Sequence, residues 1–238
     1  MATSQKHAHA GERPNGVART ILALDVAGAH ATGAAAALLA DFEDALLAYD
    51  HLSASALDAT GTAEPPRFHH ASLTALLEND QIDASPAPCD TIVAALEVSD
   101  DTPGAALGSA LDALARANAL APGQRVYAIA VADAPAPSAA HPGLEAVAAC
   151  CRERDLAWMG GLAAGRAKAV AARSVKPRMG RARRACSEAL DRLIGAARAG
   201  VTVSASAELF GARDAASAGD VIDVPDPAPA ILYRLLYR

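Results

Sequence analysis

The amino-acid sequence predicts an α/β protein, a doubly wound parallel sheet with helices on both faces, forming a three-layer αβα sandwich. Two observations carry that prediction. Short apolar runs recur at residues 20–26, 91–96, 125–131 and 156–162, each the pattern of a strand covered on both sides. Between them lie segments whose apolar residues repeat at helical spacing. Strands alternating with helices at this interval imply parallel pairing through crossover connections.

Taken in order, residues 1–19 contain Lys6, His7, His9, Glu12, Arg13 and Pro14 without an apolar run, and read as a flexible leader, not a signal peptide. Residues 20–26 form the first strand. The helix after it carries Leu38, Phe42, Leu46 and Tyr49 on one stripe, widened by Leu39. Residues 53–66 are rich in Ser, Ala, Thr, Gly and Pro, a loop composition. Residues 67–77 leave two alternatives open, a short strand around Phe68 or a helix carrying Leu73, Leu76 and Leu77. A Pro-punctuated connection, 83–90, leads to the strand at 91–96. Pro103 then opens a helix with Leu107, Leu111 and Leu114 on one face, at a position where its missing N–H is harmless.

Ala121-Pro122-Gly123 turns the chain into the strand at 125–131, and the loop after it, 132–142, holds three prolines. A helix with Leu144, Val147, Ala148 and Cys151 follows. The strand at 156–162 is expected to end in its glycines. The last strong helix spans about 181–199, with Leu190, Leu193, Ile194 and Ala197 inward. Residues 201–226 read as polar loop. The tail ends in a short apolar helix with Ile231, Leu232, Leu235 and Leu236 in a stripe, expected to dock on its own domain or to make a subunit contact in a homodimer. The chain thus divides into a leader (1–19), a sheet domain (20–200) and a C-terminal extension (201–238).

Composition narrows the function. Alanine inflates the 52% hydrophobic content, and aromatics are only 3% of the 238 residues, so Trp158, Tyr127, Tyr49 and Phe42 are each expected to anchor packing. A net charge of -6 argues against general nucleic-acid binding, which needs a cationic surface. No stretch reaches the length of a membrane span. Cys89, Cys150, Cys151 and Cys186 include no CxxC pair, so they read as buried thiols of a cytoplasmic protein, without disulfide or metal framework.

The first strand-to-helix join, Ala27-Gly28-Ala29-His30-Ala31-Thr32-Gly33, lies where an open parallel sheet places helix-end N–H groups beside a phosphate. Gly28 and Gly33 have the glycine spacing of a phosphate loop, but Ala34 and Ala35 stand where that loop needs Lys and Ser/Thr. A tight turn explains the two glycines equally well. Arg166, Lys168, Arg173, Lys176, Arg178, Arg181, Arg183 and Arg184 form a run with no acid among them. It reads as a solvated loop and helix start, or as the attractor of a small-molecule anionic ligand. Cations at a helix start oppose its dipole, which favours the anion reading. Glu97, Asp100 and Asp101 could serve a cation or proton transfer, or simply precede a helix. His69 and His70 lack the spaced partners of a metal site.

Residues 151–165, Cys-Arg-Glu-Arg-Asp-Leu-Ala-Trp-Met-Gly-Gly-Leu-Ala-Ala-Gly, resemble a pattern of flavodoxin-like NAD(P)H-dependent FMN oxidoreductases. There, a helix ending in Cys leads to a Leu-x-Trp strand and a glycine-rich turn. Residues 123–129 are similar to that family's approach to its fourth strand, and Leu232-Tyr233-Arg234 after paired prolines to its C-terminal helix. The resemblance runs in order over residues 20–238. It implies a flavodoxin-like fold with FMN at the carboxyl ends of the strands, taking a hydride from NAD(P)H and passing electrons to a small acceptor. It further implies Gly28, His30, Thr32 and Gly33 at the flavin phosphate, with Glu97, Ser99 and Asp133 beside the ring. It fixes no catalytic residue and no metal ligand.

The three loops that would touch flavin depart from the family. Residues 27–33 keep only His30 and Thr32 as polar side chains. Residues 95–101 carry no aromatic and three carboxylates, which would repel a phosphate or a reduced flavin. Residues 131–137 replace an Asn/Gly/aromatic loop with Val-Ala-Asp-Ala-Pro-Ala-Pro. These departures define the alternative, a flavin-free binding or interaction module that keeps the fold, with the arginine segment and the C-terminal apolar helix as partner surfaces. A hydrolase or transferase in the same crevice lacks a Gly-x-Ser-x-Gly elbow.

Overall fold

The central strand segments have no polar face to give to water. Residues 91–96 and 126–132 are buried without interruption, which requires cover on both sides of a sheet. The computed structural model describes residues 20–26, 31–56, 66–78, 89–98, 103–209 and 220–225. Its strands are β1 (Thr20–Asp25), β2 (Arg67–Ser72), β3 (Thr91–Val98), β4 (Arg125–Ala132), β5 (Ala157–Ala164) and β6 (Val221–Asp223). They form one sheet in the order β2-β1-β3-β4-β5-β6, every pairing parallel. The helices are α1 (Ala34–Ala56), α2 (Leu73–Glu78), α3 (Pro103–Arg116), α4 (His141–Glu153), α5 (Ala167–Arg173), α6 (Arg184–Ala199) and α7 (Val203–Leu209).

Alternation along each strand sorts the core into two layers. Ile21, Ala23, Val93, Tyr127 and Ile129 face one way, against α1, α5, α6 and α7. Leu22, Leu24, Ile92, Leu96 and Val126 face the other, against α2, α3 and α4. The predicted three-layer αβα sandwich is the observed architecture, with flavodoxin strand order over its first five strands.

Four details differ from the sequence reading. Residues 67–78 hold both alternatives in succession, the strand β2 and then the helix α2. The glycines of β5 lie inside the strand, which continues to Ala164. Gly160 has φ +111°, and a Cβ there would stand 2.5 Å from the Asp220 carbonyl oxygen and against Val203. The register shift between Val126 and Tyr127 leaves Met159, just before Gly160, as the extra residue of a bulge. Residues 201–226, read as loop, contain α7 and the edge strand β6, whose Val221–Asp223 pair with Gly161–Ala163. The sheet therefore continues past residue 200. A three-residue strand is too short to show a period, which is why the sequence pattern passes over it.

The fourth difference concerns an aromatic anchor. Phe42 and Tyr127 are fully buried, whereas Tyr49 is 37% exposed and lies under the Arg198 guanidinium, 5.8 Å from the ring centroid. The Tyr127 hydroxyl donates to the carbonyls of Ala196 (3.1 Å) and Val201 (2.8 Å), serving the last turn of α6 where Gly200 closes it with φ 66°. All four cysteines are free, with Cys186 half-buried and the others buried. Among the described residues no helix is long and apolar enough to cross a membrane. The leader and the apolar C-terminal segment lie outside the described residues.

Candidate functional site

The chain runs from β1 out to β2, then crosses to the other side of β1 to make β3. The crevice between the carboxyl ends of β1 and β3 is therefore the topological switch point, where open α/β sheets bind ligands. Two elements meet there, the start of α1 and the end of β3. Glu97 on β3 extends to the helix end. Its Oε2 accepts the Thr32 N–H at 2.6 Å, and its Oε1 accepts the N–H groups of Ala34 at 2.8 Å and Ala35 at 3.4 Å. The Thr32 hydroxyl oxygen accepts a second, longer bond from Ala34 at 3.3 Å. The orphan N–H groups that make a helix start an anion cradle are thus held by a carboxylate of the chain itself.

This geometry places each sequence candidate. Thr32 and Glu97 come together, but Glu97 fills the helix end in place of flanking a ring. Gly33 has φ +80° and open space where a Cβ would lie, and its carbonyl accepts the Ala37 N–H at 3.0 Å, so it makes the turn into α1. Asp133, after β4, forms an ion pair with Lys168 at 2.9 Å on another part of the carboxyl edge. Gly28, His30 and Ser99 lie outside the described residues. The helix end does not fit the phosphate of FMN. A phosphate bound there would lie against Glu97, and like charges about 4 Å apart near a protein surface repel by about 4 kcal/mol per pair of unit charges.

The arginine segment divides into a group that fastens the chain and a group that lines a cavity. Arg183 is buried and pairs with buried Asp41 on α1. It also donates to the carbonyls of Ser174 (2.7 Å) and Lys176 (2.8 Å). Arg178 approaches the other Asp41 oxygen at 3.9 Å, and its carbonyl accepts the Ser187 hydroxyl at 2.6 Å. These bonds fasten residues 174–183 onto α1. Arg166, Arg173, Arg181 and Arg184 instead line a cavity of about 280 Å³ at the carboxyl edge, between α5, the start of α6 and the chain leaving β6. Arg166 holds a left-handed φ of 62°. Its N–H donates to the Ala134 carbonyl at 2.7 Å, and Gly165 before it packs so closely on the 134–135 backbone that a Cβ would stand 2.6 Å from that same oxygen.

Cys186 also lines this cavity. Burial pushes its thiol above the usual range, while the charges of Arg183 and Arg173 draw it part of the way back. It is a neutral wall group at physiological pH, without the thiolate that nucleophilic chemistry needs. Sequence reasoning missed one polar pair altogether. His141 Nε2 lies 2.7 Å from Asp223 Oδ1, joining the start of α4 to β6. The sequence held no signal for it, because β6 itself was not legible. Among the described residues no group of three or more His, Cys, Asp or Glu side chains is placed to hold a metal ion.

Fold and site together define an α/β protein of flavodoxin strand order whose switch-point helix end is closed by its own carboxylate. No family model matches the chain, and no curated protein matches it.

Proposed function

We propose that this protein is a flavin-free module of flavodoxin-like architecture, which binds a ligand or partner and does not transfer electrons through FMN. One observation carries the reading: the Glu97 carboxylate accepts N–H groups from Thr32, Ala34 and Ala35, at the helix end that a flavin phosphate would require. The sequence after Glu97 also carries Asp100 and Asp101, carboxylates of a kind that disfavours an anionic reduced flavin. The oxidoreductase alternative rests on the family resemblance of residues 151–165, with NAD(P)H as electron donor.

Flavin titration separates the two. The purified protein is titrated with FMN, FAD and riboflavin, with flavin fluorescence as the readout. A flavin-free module leaves all three emissions unquenched at micromolar concentrations. Saturable quenching by FMN that persists when Arg173 and Arg181 are both changed to Gln would overturn the proposal and direct attention to NAD(P)H oxidation assays.

A further inference from the structure

We propose that the arginine-lined cavity is a binding site for a small organic phosphate monoester, separate from the switch-point crevice. Four guanidinium groups, those of Arg166, Arg173, Arg181 and Arg184, line it against one carboxylate, Glu188. That carboxylate is already held by Arg184 at 2.7 Å. Among the described residues Arg173 and Arg181 form no ion pair. Arg173 and Arg181 therefore bring two positive charges, unmatched by a carboxylate among the described residues, to one small space in a chain whose net charge is -6. Self-repulsion of that kind is relieved by a bound anion.

The start of α6 reinforces the charge. The helix has no acidic residue in its first turn and no side-chain cap, and its first-turn residues Arg184, Ala185 and Cys186 line the cavity. At the start of α1, by contrast, Glu97 supplies an internal anion. The two long helices of this face thus differ in the way that matters for a ligand: one helix end is closed by a carboxylate and the other faces an arginine-ringed space.

Ligand class follows from charge and size. Concentrated positive charge at one small site favours a group with two charges on a single centre, and arginine forks match phosphate oxygens in pairs. Val170, Val224 and Pro225 give the cavity an apolar wall, suited to a short carbon body attached to the phosphate. A volume of about 280 Å³ falls at the small end of ligand sites and is too small to enclose a dinucleotide.

Phenyl phosphate is the probe, titrated into the full chain by isothermal calorimetry at low salt, with inorganic phosphate, succinate and phenol titrated in parallel. Saturable one-to-one binding of phenyl phosphate is expected, at least tenfold tighter than each of the other three. Two variants remove the charge by different routes: the R173Q/R181Q double variant, and Ala182→Glu at an exposed cavity position. Each is expected to weaken phenyl phosphate at least tenfold without lowering the thermal unfolding midpoint of the free protein, since each also relieves repulsion among the guanidinium groups. The proposal is overturned by an absence of saturable binding at millimolar concentrations, by equal affinity in the variants, or by succinate or inorganic phosphate binding as tightly as phenyl phosphate. These outcomes are distinct from those of the flavin titration, in which only quenching that survives the change of Arg173 and Arg181 to Gln concerns the α1 helix end.

Discussion

Replacing Glu97 with alanine removes the acceptor for three helix-end N–H groups at once. Hydrogen bonds to a charged group contribute about 1.5–3 kcal/mol, and loss of a helix N-cap alone costs about 1 kcal/mol. Because the 2.6 Å and 2.8 Å bonds are short and the third, at 3.4 Å, is weak, the expected loss for E97A is about 2–3 kcal/mol. E97Q keeps an acceptor oxygen and gives up the charge, at about 1 kcal/mol from the helix dipole. Urea unfolding at pH 7, followed by far-UV circular dichroism, reads both. With a slope of about 3 kcal/mol/M, the E97A midpoint falls by about 0.7–1 M.

The open helix end of E97A should also accept an anion. Added inorganic phosphate then raises the E97A midpoint more than it raises that of the unmutated protein, since a ligand confined to the native state stabilises it. A midpoint change under about 0.2 M in E97A, outside what the lost bonds allow, together with no differential phosphate effect, would refute the assignment of Glu97 as the internal anion.

Other parts of the structure make further measurable claims. Asp41→Ala leaves the buried Arg183 guanidinium without its carboxylate and is expected to cost about 3 kcal/mol in urea unfolding. Gly160→Ala places a Cβ 2.5 Å from the Asp220 carbonyl oxygen at a residue with φ +111°, and should lower stability by at least about 2 kcal/mol through strain and overpacking. Burial holds the Cys89 thiol up to about 11 and the Cys151 thiol up to about 12. Unfolded thiols ionise near pH 8.5, so the unfolded state loses protons that the native state retains. The stability tied to these thiols is intact below pH 8.5 and declines as pH rises toward 11–12. Alkaline urea titrations and slow native-state reaction with a disulfide reagent check this; rapid modification of Cys89 and Cys151 at pH 8 without unfolding would contradict it.

The architecture was legible because its signals were local and repeated. Residues 91–96 and 125–131 read as buried strands, and the stripes of Leu107, Leu111 and Leu114 or Leu190, Leu193 and Ile194 read as helix faces, all visible without tertiary context. What escaped was decided by distant partners. β6 exists because the edge of β5 can pair with three residues far along the chain. Gly160 and Gly161 look like a turn until the carbonyls of Asp220 and Ala128 are seen against them. The candidate site shows the same division. Thr32, Gly33 and Glu97 could be named from a strand-to-helix join and an acidic strand end. That Glu97 would reach the N–H groups of residues 32–35 depends on the spacing of β1 and β3, which sequence does not print. The arginine run was conspicuous, yet only contact with Asp41 separates Arg183, a fastening, from Arg173 and Arg181 at the cavity.

Helix α6 is secured at both extremities by unrelated chemistry. Arg183, just before its first turn, is locked to Asp41 on α1, and at the other end the Tyr127 hydroxyl rising from β4 meets the carbonyls of Ala196 in the last turn and Val201 just beyond it. A beam pinned at two points can neither slide along the sheet nor pivot about one end without breaking a buried polar contact. Adaptation to different guests is therefore left to the guanidinium rotamers on its rim. Those positions can be rewritten to alter selectivity while the frame beneath them stays in place.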